Sequence, residues 1–220
     1  MQAREVLEIS KIIPVITIYD LKTSIDLAQA LAKGGIKILE ITLRTKEALE
    51  AINLISQEMP DIIVGAGTIL NAKMLEQAKN AGAKFAISPG LNAIFAKEAK
   101  AIDLPLIPGV TTAGELMLAL EFDLKNLKFF PAESSGGIQT LKSFLAPFSS
   151  VKFCPTGGIN LNNIKEYLTL ENVACVGGSW LTPKELIINK QWDEITQIAQ
   201  KSLARSQQTP LFKNQKLKVN

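Results

Sequence analysis

Lys128 lies within Leu127-Lys128-Phe129-Phe130-Pro131-Ala132-Glu133, a short apolar run that reads as a buried strand. Strand side chains alternate between the two faces of a sheet, so Leu127 and Phe129 share one face while Lys128 and Phe130 share the other. Large apolar groups on both faces suit a parallel strand covered on each side. Lysine is almost never fully buried unless it is paired or functional. Burial disfavours the charged form of an amine, and a neutral amine can attack a carbonyl to form a Schiff base. The second reading is a lysine at a strand start whose amine reaches back to water. This stretch by itself leaves both readings open.

Other polar residues fall where catalysis would need them. In the second strand, Leu39, Ile41 and Leu43 share the face that suits a helix layer, and Ile38, Glu40, Thr42 and Arg44 share the opposite face. Glu40 is then an interior carboxylate able to move a proton. A half-exposed edge strand with a surface ion pair is the alternative, although a closed barrel has no edge. The third strand ends in Gly65-Ala66-Gly67-Thr68, which places Thr68 at the strand end with Ala66 beneath it on the same face and room for a ligand. Ser88-Pro89-Gly90 and Pro108-Gly109-Val110-Thr111 are turn signals at two further strand ends. Thr156-Gly157-Gly158-Ile159-Asn160 and Gly177-Gly178-Ser179 are glycine clusters. Their backbone N–H groups can converge on an anion, as after strands seven and eight of many barrels, or can simply make tight turns.

These positions require a repeated strand–helix scaffold. Short β-rich runs begin near Ile12, Ile36, Ile62, Lys84, Leu104, Asn126, Val151 and Asn172. The last of these is expected over Asn172 to Val176. Helical spacing follows each run, as in Leu21 to Ala32 after an Asp20 cap, and the last helix is expected over Asp193 to Arg205. A repeat of ~20–26 residues of this kind implies a parallel sheet. Eight such units predict an α/β fold, a closed (β/α)8 TIM barrel. An open doubly wound sheet is the alternative, but no GxGxxG follows the first strand. The expected organisation is one domain over residues 1–206, preceded by a short helix from Arg4 to Ser10. A polar, lysine-rich tail over residues 207–220 follows.

Composition narrows the chemistry. The 220 residues suffice for one large domain, and 47% hydrophobic with 20% charged residues supports a sizeable core. The net charge is +3, and with Lys213, Lys216 and Lys218 in the tail the rest is near neutral, which argues against a nucleic-acid partner. No run approaches a membrane span and none has a signal peptide's cleavage pattern, so a cytoplasmic protein is expected. Cys154 and Cys175 lie in apolar runs and are expected to be free, buried thiols. There is no histidine, which excludes a His-dependent triad or His metal ligands. Acid–base work falls to Glu, Asp, Lys, Tyr, Cys or water.

Together, the segments resemble the class I 2-keto-3-deoxy-6-phosphogluconate (KDPG) aldolases, a family that often also acts on 4-hydroxy-2-oxoglutarate (KHG). The matching motifs are Glu40-Ile41-Thr42-Leu43-Arg44-Thr45, Gly65-Ala66-Gly67-Thr68, Ile87-Ser88-Pro89-Gly90, Lys128-Phe129-Phe130-Pro131-Ala132-Glu133, Cys154-Pro155-Thr156-Gly157-Gly158-Ile159 and Gly177-Gly178-Ser179-Trp180. They occur in the family's order and spacing between about Ile12 and Arg205. The resemblance implies a Schiff base on Lys128 and general acid/base work by Glu40. It implies that Arg44 and Thr68 hold the pyruvate carboxylate, that Pro89 and Phe130 also contact substrate, and that Thr156, Gly157, Gly158, Gly178 and Ser179 serve the phosphate end. It implies a small keto acid phosphate as substrate, no metal or other cofactor, no membrane partner and a homotrimer. Three other readings are weighed beside it: an aldolase for a related 2-keto-3-deoxy sugar acid phosphate, a catalytically silent phosphometabolite-binding barrel, and a metal-dependent aldolase with Glu40 as ligand. Lys128 and Glu40 speak against the second, and the lack of histidine against the third.

Overall fold

The computed structural model describes residues 1–207. Its strands are β1 (Ile12–Ile16), β2 (Ile38–Thr42), β3 (Ile63–Gly67), β4 (Ala86–Ile87), β5 (Leu106–Ile107), β6 (Gly109–Val110), β7 (Asn126–Phe129), β8 (Lys152–Pro155) and β9 (Val176–Gly178). The helices are α1 (Ala3–Ile9), α2 (Ser24–Lys33), α3 (Ala48–Glu58), α4 (Ala72–Asn80), α5 (Ala93–Ala99), α6 (Ala113–Glu121), α7 (Gly137–Phe144), α8 (Ile164–Leu168), α9 (Lys184–Ile188) and α10 (Trp192–Gln207). The tail expected after residue 206 falls on 208–220, outside the described residues, apart from Gln207, which ends α10.

All strand pairs are parallel. Six strands form one curled sheet in the order β5-β4-β3-β2-β1-β9, and three form another in the order β6-β7-β8. The two approach on one side through the bridges Phe153↔Val173 and Thr156↔Gly177. On the other side the chain passes from β5 to β6 across Pro108, which has no N–H to give a ladder but whose carbonyl accepts from Lys128 N at 2.8 Å.

Buried side chains divide into two layers. On the helix side, Leu39 and Ile41 pack with Leu27 and Leu31 of α2 and Ile52 and Ile55 of α3. On the inner side, Ile13, Ile38, Phe85, Ile87, Ile107, Cys154 and Cys175 form a separate cluster with Val6 and Leu7 of α1. A seven-residue helix is marginal by itself. Its stability comes from the capping pair Gln2–Glu5, with Gln2 N donating to Glu5 Oε2 at 2.7 Å, and from the burial of Val6 and Leu7. That burial contributes about 1.5–3 kcal/mol per side chain. Cys154 and Cys175 are free and buried, as expected.

Three expectations shift. The eighth strand begins later, at Val176, where pairing with Ile12 starts. The residues before it are occupied elsewhere: Asn172 donates to Leu141 O at 2.8 Å and its carbonyl accepts from Phe153 N. The fifth strand is interrupted at Pro108. The helix after β1 opens as a 3-10 turn over Leu21–Thr23, because the Asp20 carboxylate accepts from Lys22 N at 3.0 Å, and only then becomes α2. Among the described residues, no helix is long and apolar enough to cross a membrane.

Candidate active site

Lys128 is 5% exposed and Glu40 1% exposed. They lie on β7 and β2, yet Lys128 Nζ stands 3.5 Å from Glu40 Oε1. The same amine is 4.9 Å from the centre of the Phe130 ring. Strand alternation explains the meeting. Leu127 and Phe129 belong to the helix-side layer, where Phe129 packs edge-on against Phe144 and Phe153, so Lys128 faces inward. Leu39 and Ile41 likewise leave Glu40 on the inner face. Taking two charges out of water costs several kcal/mol per ion, and well-packed apolar residues of similar volume are often as stable or more so. One long hydrogen bond is poor compensation for that cost, so stability alone does not account for the pair.

Small residues make the space. Gly65 and Gly67 of β3 pair with Glu40 and Thr42 of β2. A Cβ on Gly65 would collide with the Phe85 ring, and one on Gly67 with the Glu40 carboxylate. Beyond Ile63, the inner face of β3 is therefore formed by these two glycines. Ala66 sits in the helix-side layer, which corrects the expectation that it lies beneath Thr68 on the inner face. Thr68 has φ of 61°, a left-handed conformation that is rare for a β-branched residue and costs on the order of 1–3 kcal/mol. This turn breaks the alternation at the end of β3.

Arg44 also departs from expectation. β2 ends at Thr42, and Arg44 lies on an exposed turn rather than on the inner strand face. Its N–H bonds back to Thr42 O at 2.8 Å, which ends the extended run. Leu43 N donates to Gly67 O at 2.9 Å, so Arg44 and Thr68 directly follow two hydrogen-bonded residues at neighbouring strand ends. The adjacent Thr45 has a buried hydroxyl oxygen with no hydrogen-bond partner among the described residues.

The remaining predicted residues ring the same end of the sheet. Pro89 is half-buried, and its carbonyl occupies the place a Cβ on Gly109 would need; Gly109 is the ladder partner of Lys128. Thr156 is buried, with its N–H bonded to Phe129 O and its carbonyl to Ala132 N. Gly157 and Gly158 have φ of 102° and 80°, which an L side chain would strain to adopt. Gly178 does not fit the alternative reading of a turn glycine. It lies inside β9, and a Cβ there would collide with the Trp180 ring. Gly177 is empty for the same kind of reason, against Thr156. Ser179 follows β9 and is exposed, and its carbonyl accepts from Thr182 N at 3.1 Å.

Several contacts at this end escaped the sequence reading. Tyr167 of α8 donates its hydroxyl to the Glu133 carboxylate. Burial, then that hydrogen bond, pushes the tyrosine's proton affinity well up. Glu133 N in turn bonds Gly157 O, and its Cγ closes against Gly158, tying the segments after β7 and β8 together. Thr111 donates to Phe130 O at 2.7 Å. Thr42 donates to Ile16 O at 2.8 Å, and its hydroxyl lies 3.3 Å from that of Thr17. Glu133 stood in a quoted motif without a role, and Tyr167 and Thr17 carry no signal that local spacing could detect. The described residues contain no cluster of three or more cysteine, aspartate or glutamate side chains with metal-ligand proximity.

The chain has close counterparts among known proteins. The KDPG and KHG aldolase family matches residues 3–198. The 2-dehydro-3-deoxy-phosphogluconate aldolase of Dickeya dadantii is 48% identical over 202 residues, covering 92% of this chain and 95% of its own. The KHG/KDPG aldolase of Escherichia coli K12 is 46% identical, covering 91% and 94%. Among solved structures, a Legionella pneumophila KDPG aldolase with pyruvate captured at low pH as a covalent carbinolamine superposes with a TM-score of 0.89. It is 46% identical and covers 91% of this chain and 97% of that one. A Zymomonas mobilis aldolase of the same name with 3-phosphoglycerate gives 0.86 at 44% identity, covering 92% and 95%. These likenesses define an aldolase, a carbon–carbon lyase. The chain belongs to the KDPG and KHG aldolase family.

Proposed function

We propose that this protein is a Schiff-base aldolase that cleaves KDPG to pyruvate and glyceraldehyde 3-phosphate, and KHG to pyruvate and glyoxylate. The carrying observation is the buried Lys128 amine, 3.5 Å from the Glu40 carboxylate. Lys128 attacks the C2 ketone and water leaves, giving an iminium. Glu40, directly or through water, takes the proton of the C4 hydroxyl. The C3–C4 bond breaks, its electron pair flows into the iminium, and the aldehyde departs. Protonation of the enamine at C3 and hydrolysis then release pyruvate and the amine. Covalent capture of pyruvate in the Legionella relative supports this order of events.

Arg44 and Thr68 hold the pyruvate carboxylate, with Pro89 and Phe130 beside the reacting carbons. Thr156, Gly157, Gly158, Gly178 and Ser179 receive the phosphate. The relative with 3-phosphoglycerate supports a phosphorylated three-carbon end. The reaction uses no metal and no cofactor beyond the covalent lysine, and it takes place in the cytoplasm. The two sheets close into a (β/α)8 barrel within one domain over 1–206, a reading supported by the bridges from β8 and by the run across Pro108. The enzyme acts as a homotrimer. Leu70, Ile94 and Met117, exposed just before α4, on α5 and on α6, supply apolar surface for such contacts.

The test is incubation with pyruvate and borohydride, followed by peptide mapping. Reduction should mark Lys128 alone and abolish KDPG cleavage. Marking of another lysine, or none, would overturn the assignment.

A further inference from the structure

We propose that Thr17 is a specificity-determining residue that accepts a hydrogen bond from the C5 hydroxyl of the substrate. The proposal rests on the aldolase reading above and adds a contact for the part of the substrate between C4 and the phosphate.

Thr17 directly follows β1, and the alternation of that strand continues through it. Ile12, Ile16 and Ile18 lie in the helix-side layer and Ile13 in the inner one. Val15 and Thr17 therefore face inward. Val15 is the ladder partner of Glu40, so Thr17 stands one step further toward the strand ends than the carboxylate. Thr17 is half-buried, which suits a group at the mouth of the inner space.

Hydrogen-bond accounting sets the direction of its chemistry. A threonine hydroxyl has one proton and two lone pairs. Thr42 donates its proton to Ile16 O at 2.8 Å, an atom that can only accept. The 3.3 Å contact between the two hydroxyls is then a bond donated by Thr17 to Thr42. Thr17 has no proton left to give, and its free lone pairs seek a donor. A substrate hydroxyl, which has a proton to give, fits them.

Strand order says which hydroxyl. β1 lies between β2, which carries Glu40, and β9, which leads to Ser179. A substrate with its C4 hydroxyl at Glu40 and its phosphate near Ser179 carries C5 past the end of β1. KDPG has a hydroxyl there. KHG has its second carboxylate there instead.

The test uses condensation of pyruvate with two aldehydes. Glyceraldehyde 3-phosphate supplies the future C5 hydroxyl, and 3-phosphooxypropanal lacks it. Thr17→Val should lower kcat/KM for glyceraldehyde 3-phosphate by about 3–10-fold, the range of one neutral hydrogen bond. For the deoxy aldehyde the fall should stay under about twofold. Thr17→Ser should retain the parent's preference between the two. Equal falls on both aldehydes, or no fall on either, overturns the assignment. A parent enzyme that condenses neither aldehyde and is not trapped at Lys128 overturns the aldolase reading itself, so the two failures are distinct.

Discussion

The Glu40 carboxylate lies in the space that a side chain on Gly67 would fill. The two residues are on neighbouring strands, and the ladder sets Thr42 opposite Gly67, so the carboxylate leans across toward an absent Cβ. This explains the glycine by packing and gives Glu40 a fixed position 3.5 Å from Lys128.

Gly67→Ala should therefore displace the carboxylate rather than be absorbed. Overpacking of this kind costs about 1–3 kcal/mol, which should appear as a lower Tm. Steady-state cleavage of KDPG should fall at least tenfold while the fold is retained by circular dichroism. Parent-like activity would mean that the carboxylate does not need its present place.

Glu40→Gln keeps the shape and removes the charge. It should still be trapped by pyruvate and borohydride, yet lose ~10²–10⁴-fold in the cleavage rate, the usual contribution of a general acid–base group. Activity within a few-fold of the parent would reject the role.

Ser179→Ala tests the phosphate end. The turn after β9 uses the Ser179 carbonyl and survives the change. Loss of one hydrogen bond to a charged group, roughly 1.5–3 kcal/mol, predicts a fall of about 10–150-fold in kcat/KM for KDPG. KHG should be affected less because it has no phosphate. Equal losses on the two substrates would move Ser179 into a supporting role.

Cys175 gives a pH test. Its contact with Cys154, and then burial, hold the Cys175 thiol well above its ordinary range. A folded-state pKa above the unfolded one contributes stability that is fully present below the unfolded value, about 8.5, and is lost as pH rises through the folded value. The Tm of the parent should therefore drop more steeply above about pH 8.5 than that of Cys175→Ala. Parallel Tm–pH curves for the two proteins would count against the coupling.

The repeated strand–helix units, the inward faces of β2 and β7 and the buried cysteines were legible in the sequence. Each follows from a period of two or of 3.6 residues acting within one element. The family was legible as well, because its motifs are short and contiguous. Lys128 and Glu40 were readable as charged residue types in unlikely places, and both are buried.

Relations between strands were decided only by the tertiary structure. β9 starts at Val176 because pairing with β1 begins there, and Gly177 and Gly178 are empty because Thr156 and Trp180 fill their space, neither of which local turn chemistry reveals. Arg44 stands on a turn because the strand ends two residues earlier, and Ala66 faces the helices while Gly65 and Gly67 take the inner face. Tyr167 reaches Glu133 across 34 positions, and Thr17 finds Thr42 across 25. Periodicity tells which face a side chain takes. What it meets there depends on register and on how the sheet curls, and those are set by packing the whole chain at once.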